Sequence, residues 1–334
     1  MPTIRDVAKR AGVSTATVSH VINGTRFVSD ELKQSVMSAM EELGFRRNAL
    51  AGALRSGQTH TIGLILPDSL NTFFSELGHG IEQAAFPHGY NLILYNSDND
   101  LEKENLYIDF LIEKQVDGII LDTEEKDINA LRARIPKTMP TVLIDRDFEG
   151  NNFDFILSDN IQGGYAAAKH LIELGHKRIA CIIGADQTKS SFDRMQGFKA
   201  AMDEAGLPID PDLILPGDFH PESGYTGALK LFRQQHPPTA VFAFNDMMAI
   251  GVQRAAVELG LHVPDDISLV GFDNIELGIY TCPALTTVAQ SKTEIGQKTI
   301  QQMIERMSNM TLPTIRELVP THLVIRESTR RLNP

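Results

Sequence analysis

Thr3-Ile4-Arg5-Asp6-Val7-Ala8-Lys9-Arg10-Ala11-Gly12-Val13-Ser14 reads as a short helix, a glycine turn and the start of a second helix. Thr3 can cap the first helix, with Asp6 three residues on, the spacing of a capping box. Ile4, Val7 and Ala8 share one face at helical spacing. Gly12 supplies the turn, and Ser14 caps a second helix running through Val18, Val21 and Ile22 to Asn23-Gly24. So short a connection makes the helices cross, which is helix-turn-helix geometry. A third helix is expected from Ser29 to Gly44, burying Leu32, Val36, Met37, Met40 and Leu43. Residues early in the second helix then face outward, toward a major groove. Thr15, Ala16 and His20 are candidates for base contacts, and Thr17, Ser19 and Asn23 for phosphate or sugar contacts. The plainer alternative makes Ser14, Thr15 and Thr17 only capping and solvent-facing residues.

Charge divides the chain at nearly the same place. Residues 1–60 hold 8 Lys/Arg against 5 Asp/Glu, and the remaining 274 hold 23 against 38. A cationic head on a strongly anionic body fits a polyanion-binding unit attached to something that would repel DNA. The 334 residues are 42% hydrophobic, enough for two or three domains. Cys181 and Cys282 are too few and too far apart for a disulfide framework, and both are expected as small buried hydrophobes in a reducing cytoplasm. Arg5, Asp6, Lys9 and Arg10 interrupt any apolar signal region, and no run of 18 apolar residues exists, so no membrane association is expected. A nucleotide-binding or metal-dependent enzyme is disfavoured: there is no GxxxxGK[ST], no GxGxxG after the first strand, and no metal-ligand cluster. No catalytic residue, cofactor or metal is expected.

The run TIRDVAKRAGVSTATVSHVING, continued by TRFVSDELKQSVMSAMEELGF, resembles the DNA-binding head of the lactose/galactose repressor family, in particular its ribose- and purine-repressor branch. The likeness extends through THTIGLILPD, VDGII, RMQGF, GDFHPESGY, PTAVFAFNDMMAIG, VPDDISLVGFDN and PALTTVAQ, essentially the whole chain. It implies residues 1–45 as the DNA-binding domain, 46–60 as a hinge that becomes helical on DNA, and 61–334 as an effector-binding and dimerisation body. Asn48 could cap a hinge helix of about two turns, too short to be stable alone in water. The resemblance assigns Leu54 as the wedge that enters the minor groove, a task suited to an apolar side chain; otherwise residues 46–60 are a flexible linker with Leu54 packed on the body. Arg47 stands where the family usually has proline, and Gly52 where it commonly has arginine. Both departures would loosen the hinge.

From Thr61 onward, short apolar runs alternate with longer amphipathic stretches. Ile62–Leu66, Asn91–Tyr95, Gly118–Leu121, Val142–Ile144 and Ile156–Leu157 read as buried strands. A second set follows at Ile179–Ile183, Val241–Phe244 and Ser268–Gly271. Helical stretches between them include Ser75–Phe86, Leu101–Lys114, Gly163–Glu173 and Arg194–Ala205. Such alternation means α/β architecture with parallel sheets covered by helices. Two sets suggest two lobes, and the resemblance implies a two-lobed clamp of the periplasmic-binding-protein type with three crossovers. Lobe 1 is expected at about 61–160 and 290–320, and lobe 2 at about 161–289 and 321–330.

Ligands of such sheets bind beyond the carboxyl ends of the strands, here between the lobes. Asn71, Phe73 and Phe74 follow the first strand, and Asp145-Arg146 the fourth. Arg194 begins a helix of the second lobe, and Asn245, Asp273 and Gln290 follow later strands. Aromatic faces with a rim of carboxylates, guanidinium and amides suit a monosaccharide. The words NTFF, IDRD, DRMQGF, FAFND, GFDN and AQ are also similar to the ligand-contacting segments of periplasmic ribose-binding protein, which makes ribose the first expectation. Phe219, in GDFHPESGY, resembles the purine-repressor branch and keeps a purine as the alternative. Less specific explanations are a surface ion pair at Asp145-Arg146, core packing at Phe73-Phe74, and helix capping at Asn245.

Together these features predict a homodimeric repressor on a near-palindromic operator in double-stranded DNA, switched by a small sugar. Beyond Arg330-Arg331 no heptad repeat is present to build a tetramer. A regulator answering to a phosphorylated carrier protein is an alternative within the family. A sugar-transport binding protein is the alternative outside it, and would need an export signal.

Overall fold

The computed structural model describes residues 2–45, 58–148, 150, 153–185 and 188–332. The chain separates into two compact units, residues 1–59 and 60–334. The proposed wedge, Leu54, lies outside the described residues.

The first unit contains α1 (Ile4–Ala11), α2 (Thr15–Asn23) and α3 (Asp30–Glu42). The capping box at its start is formed: Thr3 N donates to Asp6 Oδ2 at 2.7 Å, and Asp6 N donates to Thr3 Oγ1 at 3.4 Å. Gly12 ends α1 at φ 68°, a left-handed conformation that glycine adopts without steric cost. Ser14 caps α2 by accepting from Thr17 N at 3.0 Å. Val7, Ala8, Val18, Val36 and Ala39 form the small core. Leu32 and Met37 are not in it: they are 42% and 59% exposed. The buried stripe of α3 runs through Val36 and Ala39, and Met37 stands a further 100° around the helix from Val36. So small a core does not reach Leu32 in the first turn.

The second unit has two lobes. Lobe 1 begins with β1 (Thr61–Leu66), α4 (Thr72–Ala85), β2 (Asn91–Asn96), α5 (Leu101–Glu113), β3 (Gly118–Leu121), α6 (Ile128–Arg134), β4 (Thr141–Ile144) and β5 (Asp154–Ser158). Lobe 2 follows with α7 (Asn160–Glu173), β6 (Ile179–Ile182), α8 (Lys189–Glu204), β7 (Ile214–Leu215), α9 (Pro221–Phe232), β8 (Ala240–Ala243), α10 (Asp246–Glu258), β9 (Ser268–Asp273) and β10 (Thr286–Gln290). The chain then returns to lobe 1 for α11 (Lys292–Ser308) and β11 (Arg316–Val319), and crosses back at Pro320 to β12 (Thr321–Val324).

Lobe 1 carries a six-stranded sheet in the order β11-β5-β4-β3-β1-β2, and lobe 2 one in the order β12-β10-β9-β8-β6-β7. All pairings are parallel except β10 with β12. Strands buried on both faces need unbroken apolar runs, and Gly118-Ile119-Ile120-Leu121 and Thr141-Val142-Leu143-Ile144 are buried throughout. The α7–α8 and α9–α10 pairs pack backbone to backbone: a Cβ on Gly164 would lie 2.1 Å from Arg194 O, and one on Gly224 2.1 Å from Met248 O. The first of these close crossings seats Arg194. That residue lies in the second turn of α8 rather than at its start, because Thr188 caps the helix. Cys181 is buried as expected, but Cys282 is exposed.

Candidate functional site

In the head, Thr15 and Ala16 are exposed on the first turn of α2, and Thr17, Ser19 and His20 are partly exposed. Thr17 Oγ1 lies 2.9 Å from Ser14 Oγ, so its hydroxyl shares in the cap. His20 Nδ1 lies 2.8 Å from Thr25 Oγ1, which orients the ring from beyond the end of α2. The N-terminal end of α2 therefore presents a polar, solvent-facing strip, with Val18 turned into the core. Asn23 is the last residue of α2. The first turn has no acidic residue to repel phosphate.

In the body, a cavity of about 960 Å³ opens between the lobes, at the carboxyl ends of the strands. Asn71, Phe74, Asp145, Arg146 and Phe219 line it. Asn71 also caps α4, accepting from Phe73 N at 3.1 Å. Phe73 does not line the cavity. It is 3% exposed and packs in the lobe 1 core, edge-on to Phe74 with ring centroids 5.2 Å apart. Adjacent helical residues point about 100° apart, so a cap at Asn71 allows one phenylalanine to face the ligand side and not both. Phe219 sits at φ 67° and lies over Gly184, where a Cβ would fall 1.8 Å from the ring.

Arg194, Asn245, Asp273 and Gln290 stand behind this wall, each no more than 3% exposed. Arg194 Nε donates to Asn160 Oδ1 at 2.9 Å, and Nη1 donates to Phe244 O. The guanidinium carbon lies 3.8 Å from the Phe272 ring centroid. Gln290 Nε2 donates to Asp273 Oδ1 at 2.7 Å, while Gln290 Oε1 is buried without a hydrogen-bond partner among the described residues. Asn245 caps α10 by accepting from Met248 N, and its Nδ2 donates to Phe219 O at 2.9 Å. Capping and wall-building are thus the same residue's work. Burial pushes the Asp273 carboxyl up to about 6, opposed by the Arg194 charge and the Gln290 hydrogen bond. Burial, then the nearby Asp273 charge, pushes Asp246 up to about 8.

Arg146 is committed within lobe 1. Its Nε donates to Asp122 Oδ1 at 3.1 Å, and its Nη2 donates to Glu124. The surface ion pair that was the plainer explanation of Asp145-Arg146 is thus replaced by partly buried pairs from Arg146 to Asp122 and Glu124. Asp122 is fully buried, and burial raises its pKa well above the usual range despite Arg146. Asp122, Glu124, Ser190 and Phe192 also line the cavity and were not anticipated. The signal was available for the first two, since they follow β3 as Asp145 follows β4. Among the described residues no group of His, Cys, Asp and Glu could hold a metal ion.

Residues 3–48 match the model for bacterial regulatory proteins of the lacI family, and residues 168–329 match a periplasmic binding protein-like domain. The HTH-type transcriptional repressor PurR of Vibrio vulnificus (strain CMCP6) is 41% identical over 339 residues, spanning all of both chains. The chain belongs to the LacI family. It is a DNA-binding transcriptional repressor of that family, with a helical head and a two-lobed α/β body. Among solved structures, the lac repressor dimer bound to operator and an anti-inducer matches with TM-score 0.88 at 28% identity, over 98% of this chain and 99% of that one. A LacI-family regulator from Enterococcus faecium with bound ribose matches with TM-score 0.74 at 32% identity, over 82% of this chain and 100% of that one.

Proposed function

We propose that this repressor binds a near-palindromic operator in the cytoplasm as a homodimer, and that an aldopentose, D-ribose first, controls it from the interlobe cleft. The observation that carries the ligand reading is the buried Arg194–Asp273–Gln290 cluster. Arg194 Nη2 lies 3.7 Å from Asp273 Oδ1, too far for a direct hydrogen bond, and Gln290 Oε1 has no partner among the described residues. None of these three residues lines the open cavity, so on this reading ligand entry opens the wall to them; a vicinal diol, which both donates and accepts, then satisfies such a set. Phe74 and Phe219 offer apolar faces for the sugar's C–H groups. The cavity carries Asp68, Asp122, Glu124, Glu125, Asp145, Asp147 and Asp218 against Lys126, Arg146 and Lys189, which disfavours phosphorylated ligands. The ribose-bound family member among the similar structures supports the same choice.

A purine is the second reading. It is favoured by the 41% identity to a repressor named PurR and by the two rings, which could flank a flat base. On DNA, Thr15, Ala16 and His20 would meet base edges, Thr17, Ser19 and Asn23 the backbone, and Leu54 the minor groove. Ligand closure of the lobes would change operator affinity about 5–150-fold.

Calorimetric titration of the full chain with D-ribose, and separately with hypoxanthine, tests this. Saturable ribose binding near one site per chain is the expected outcome. Binding of hypoxanthine alone would transfer the cleft to the purine reading, and silence with both would remove the cleft from either.

A further inference from the structure

The turn that follows β9 carries Asp273 and is held in an unusual backbone conformation. Asp273 has φ 105° and Asn274 φ 53°. Non-glycine residues adopt such values at a cost, and persist in them where surrounding groups over-determine them. Here the surroundings come from both lobes. Within lobe 2, Asp246 Oδ2 accepts from Ile275 N at 2.9 Å, and Arg326 Nη2 donates to Asn274 Oδ1 at 2.6 Å. From the crossing segment, Lys292 Nζ donates to Asp273 O at 2.9 Å and to Asn274 O at 2.7 Å. The same ammonium lies 2.9 Å from Glu76 Oε2, on α4 of lobe 1. An ammonium has three donors, and these three acceptors use them all.

Glu76 completes the tie with its other oxygen, since Oε1 accepts from Glu276 N at 2.8 Å. One lobe 1 carboxylate therefore holds both ends of the lobe 2 turn, directly at Glu276 and through Lys292 at Asp273-Asn274. The Lys292 and Glu76 side chains are 14% and 23% exposed, so the pair is mostly shielded from solvent. The contact continues in the backbone: a Cβ on Gly80 of α4 would fall 2.8 Å from Lys292 O. The helix so gripped is the one whose first turn bears Phe74 at the cavity.

We propose that Lys292 is a positioning residue for allostery: it converts a shift of the Asp273 turn, on ligand engagement, into a shift of α4 and hence of lobe 1. This rests on the ligand site inferred above. Lobe 1 opens the body, with β1 beginning at Thr61, so on the proposed function its shift is the one passed back along the chain toward the DNA-binding head. A lysine is required because the junction needs three diverging donors on one small charge. Methionine keeps the stem and loses all three, whereas Glu76→Gln keeps an acceptor and loses the charge.

The test uses the full-length protein on a fluorescent operator fragment, with operator affinity measured with and without D-ribose. In Lys292→Met the ratio of the two affinities should fall at least about fivefold toward unity, while D-ribose still binds one per chain. Glu76→Gln should lower the ratio less, and the double variant no further than Lys292→Met. A role confined to stability would lower the unfolding midpoint and leave the ratio intact, which would overturn the proposal. Hydrogen exchange on ligand-free protein gives a second readout independent of the sugar. Amides at 72–78 and 274–278 should lose protection together in Lys292→Met, or in Glu76→Gln should the first variant fail to fold. If D-ribose does not move the wild-type operator affinity, the sugar reading fails and exchange alone decides the tie: protection lost on one side only would refute it.

Discussion

In lobe 1 the strand borrowed from the end of the chain, β11, runs parallel to β5, whereas in lobe 2 the borrowed β12 runs antiparallel to β10. The other five strands of each lobe follow the same order. The larger difference lies in what each lobe sends toward the cleft. Lobe 2 supplies Arg194, Asn245, Asp273 and Gln290, all buried and bonded to partners in their own lobe or at its edge. Lobe 1 supplies Asp145 and Arg146 on the loop after β4, partly exposed, with Asp145 at φ 59°. One wall is pre-organised by its own core and the other stands on a partly exposed loop. On the proposed function, a ligand would dock on lobe 2 first and recruit lobe 1 by closure.

The largest expected effect tests that asymmetry from the lobe 2 side. Arg194→Leu removes the cation from a buried cluster and leaves Asp273 and Asn160 without it. Breaking such a pair costs about 3–5 kcal/mol, read as a lowered urea midpoint, and heat on D-ribose addition should vanish. Because Asp273 can relieve itself by taking a proton, the loss should be smaller at pH 5 than at pH 8. An equally stable variant would mean that lobe 2 is not held together by this cluster.

The pH dependence comes next in size. Asp273 and Asp246 have folded pKa values of about 6 and about 8, above the ordinary 3.8. A raised carboxyl pKa contributes stability fully below about pH 4, and that contribution is lost as pH rises through the folded value. Stability from this pair should therefore decline from pH 4 through 8, by an amount on the order of several kcal/mol. His170 and His176, held below their usual 6.5 by burial, act in the opposite direction below that pH. The decisive quantity is consequently the difference made by Asp246→Asn. The amide mimics the protonated acid between Thr287 Oγ1, 2.6 Å from Asp246 Oδ1, and the donor Ile275 N. It should flatten the slope between pH 6 and 8 in urea midpoints; an unchanged slope would show that Asp246 is already ionised.

Much of this architecture could be read from the amino-acid order, for identifiable reasons. Gly118-Ile119-Ile120-Leu121 and Thr141-Val142-Leu143-Ile144 were legible because a strand covered on both faces tolerates no polar position. Thr3, Gly12 and Ser14 were legible because caps and left-handed turns constrain residue type locally. The two-residue strand β7 left no periodicity to detect. At Phe73-Phe74 the sequence shows two rings, and only the helix start at Thr72 decides that Phe73 goes to the core. Arg194 was placed near the ligand, but its support by Asn160 spans 34 residues and no local pattern encodes it. Asp122 and Glu124 follow β3 as Asp145 follows β4, but their shared partner Arg146 comes from another strand end, a pairing that no local pattern encodes.

The smallest effect sharpens the comparison from the lobe 1 side. Asp145→Asn removes a charge from the cavity wall while keeping a residue type that tolerates positive φ. Asp145 is partly exposed and raises the pKa of buried Asp122, so its charge opposes that of its neighbour. Its loss should change folding stability by no more than about 0.5 kcal/mol. On the proposed function the ligand should feel more, because a charge-assisted hydrogen bond to a sugar hydroxyl would become a neutral one. That exchange is worth about 1 kcal/mol, a several-fold rise in the D-ribose Kd with stoichiometry preserved. Calorimetry and urea unfolding on one preparation separate the two quantities. If Asp145→Asn destabilises the body as much as Arg194→Leu does, the two walls are equally pre-organised, and docking on lobe 2 before closure loses its basis.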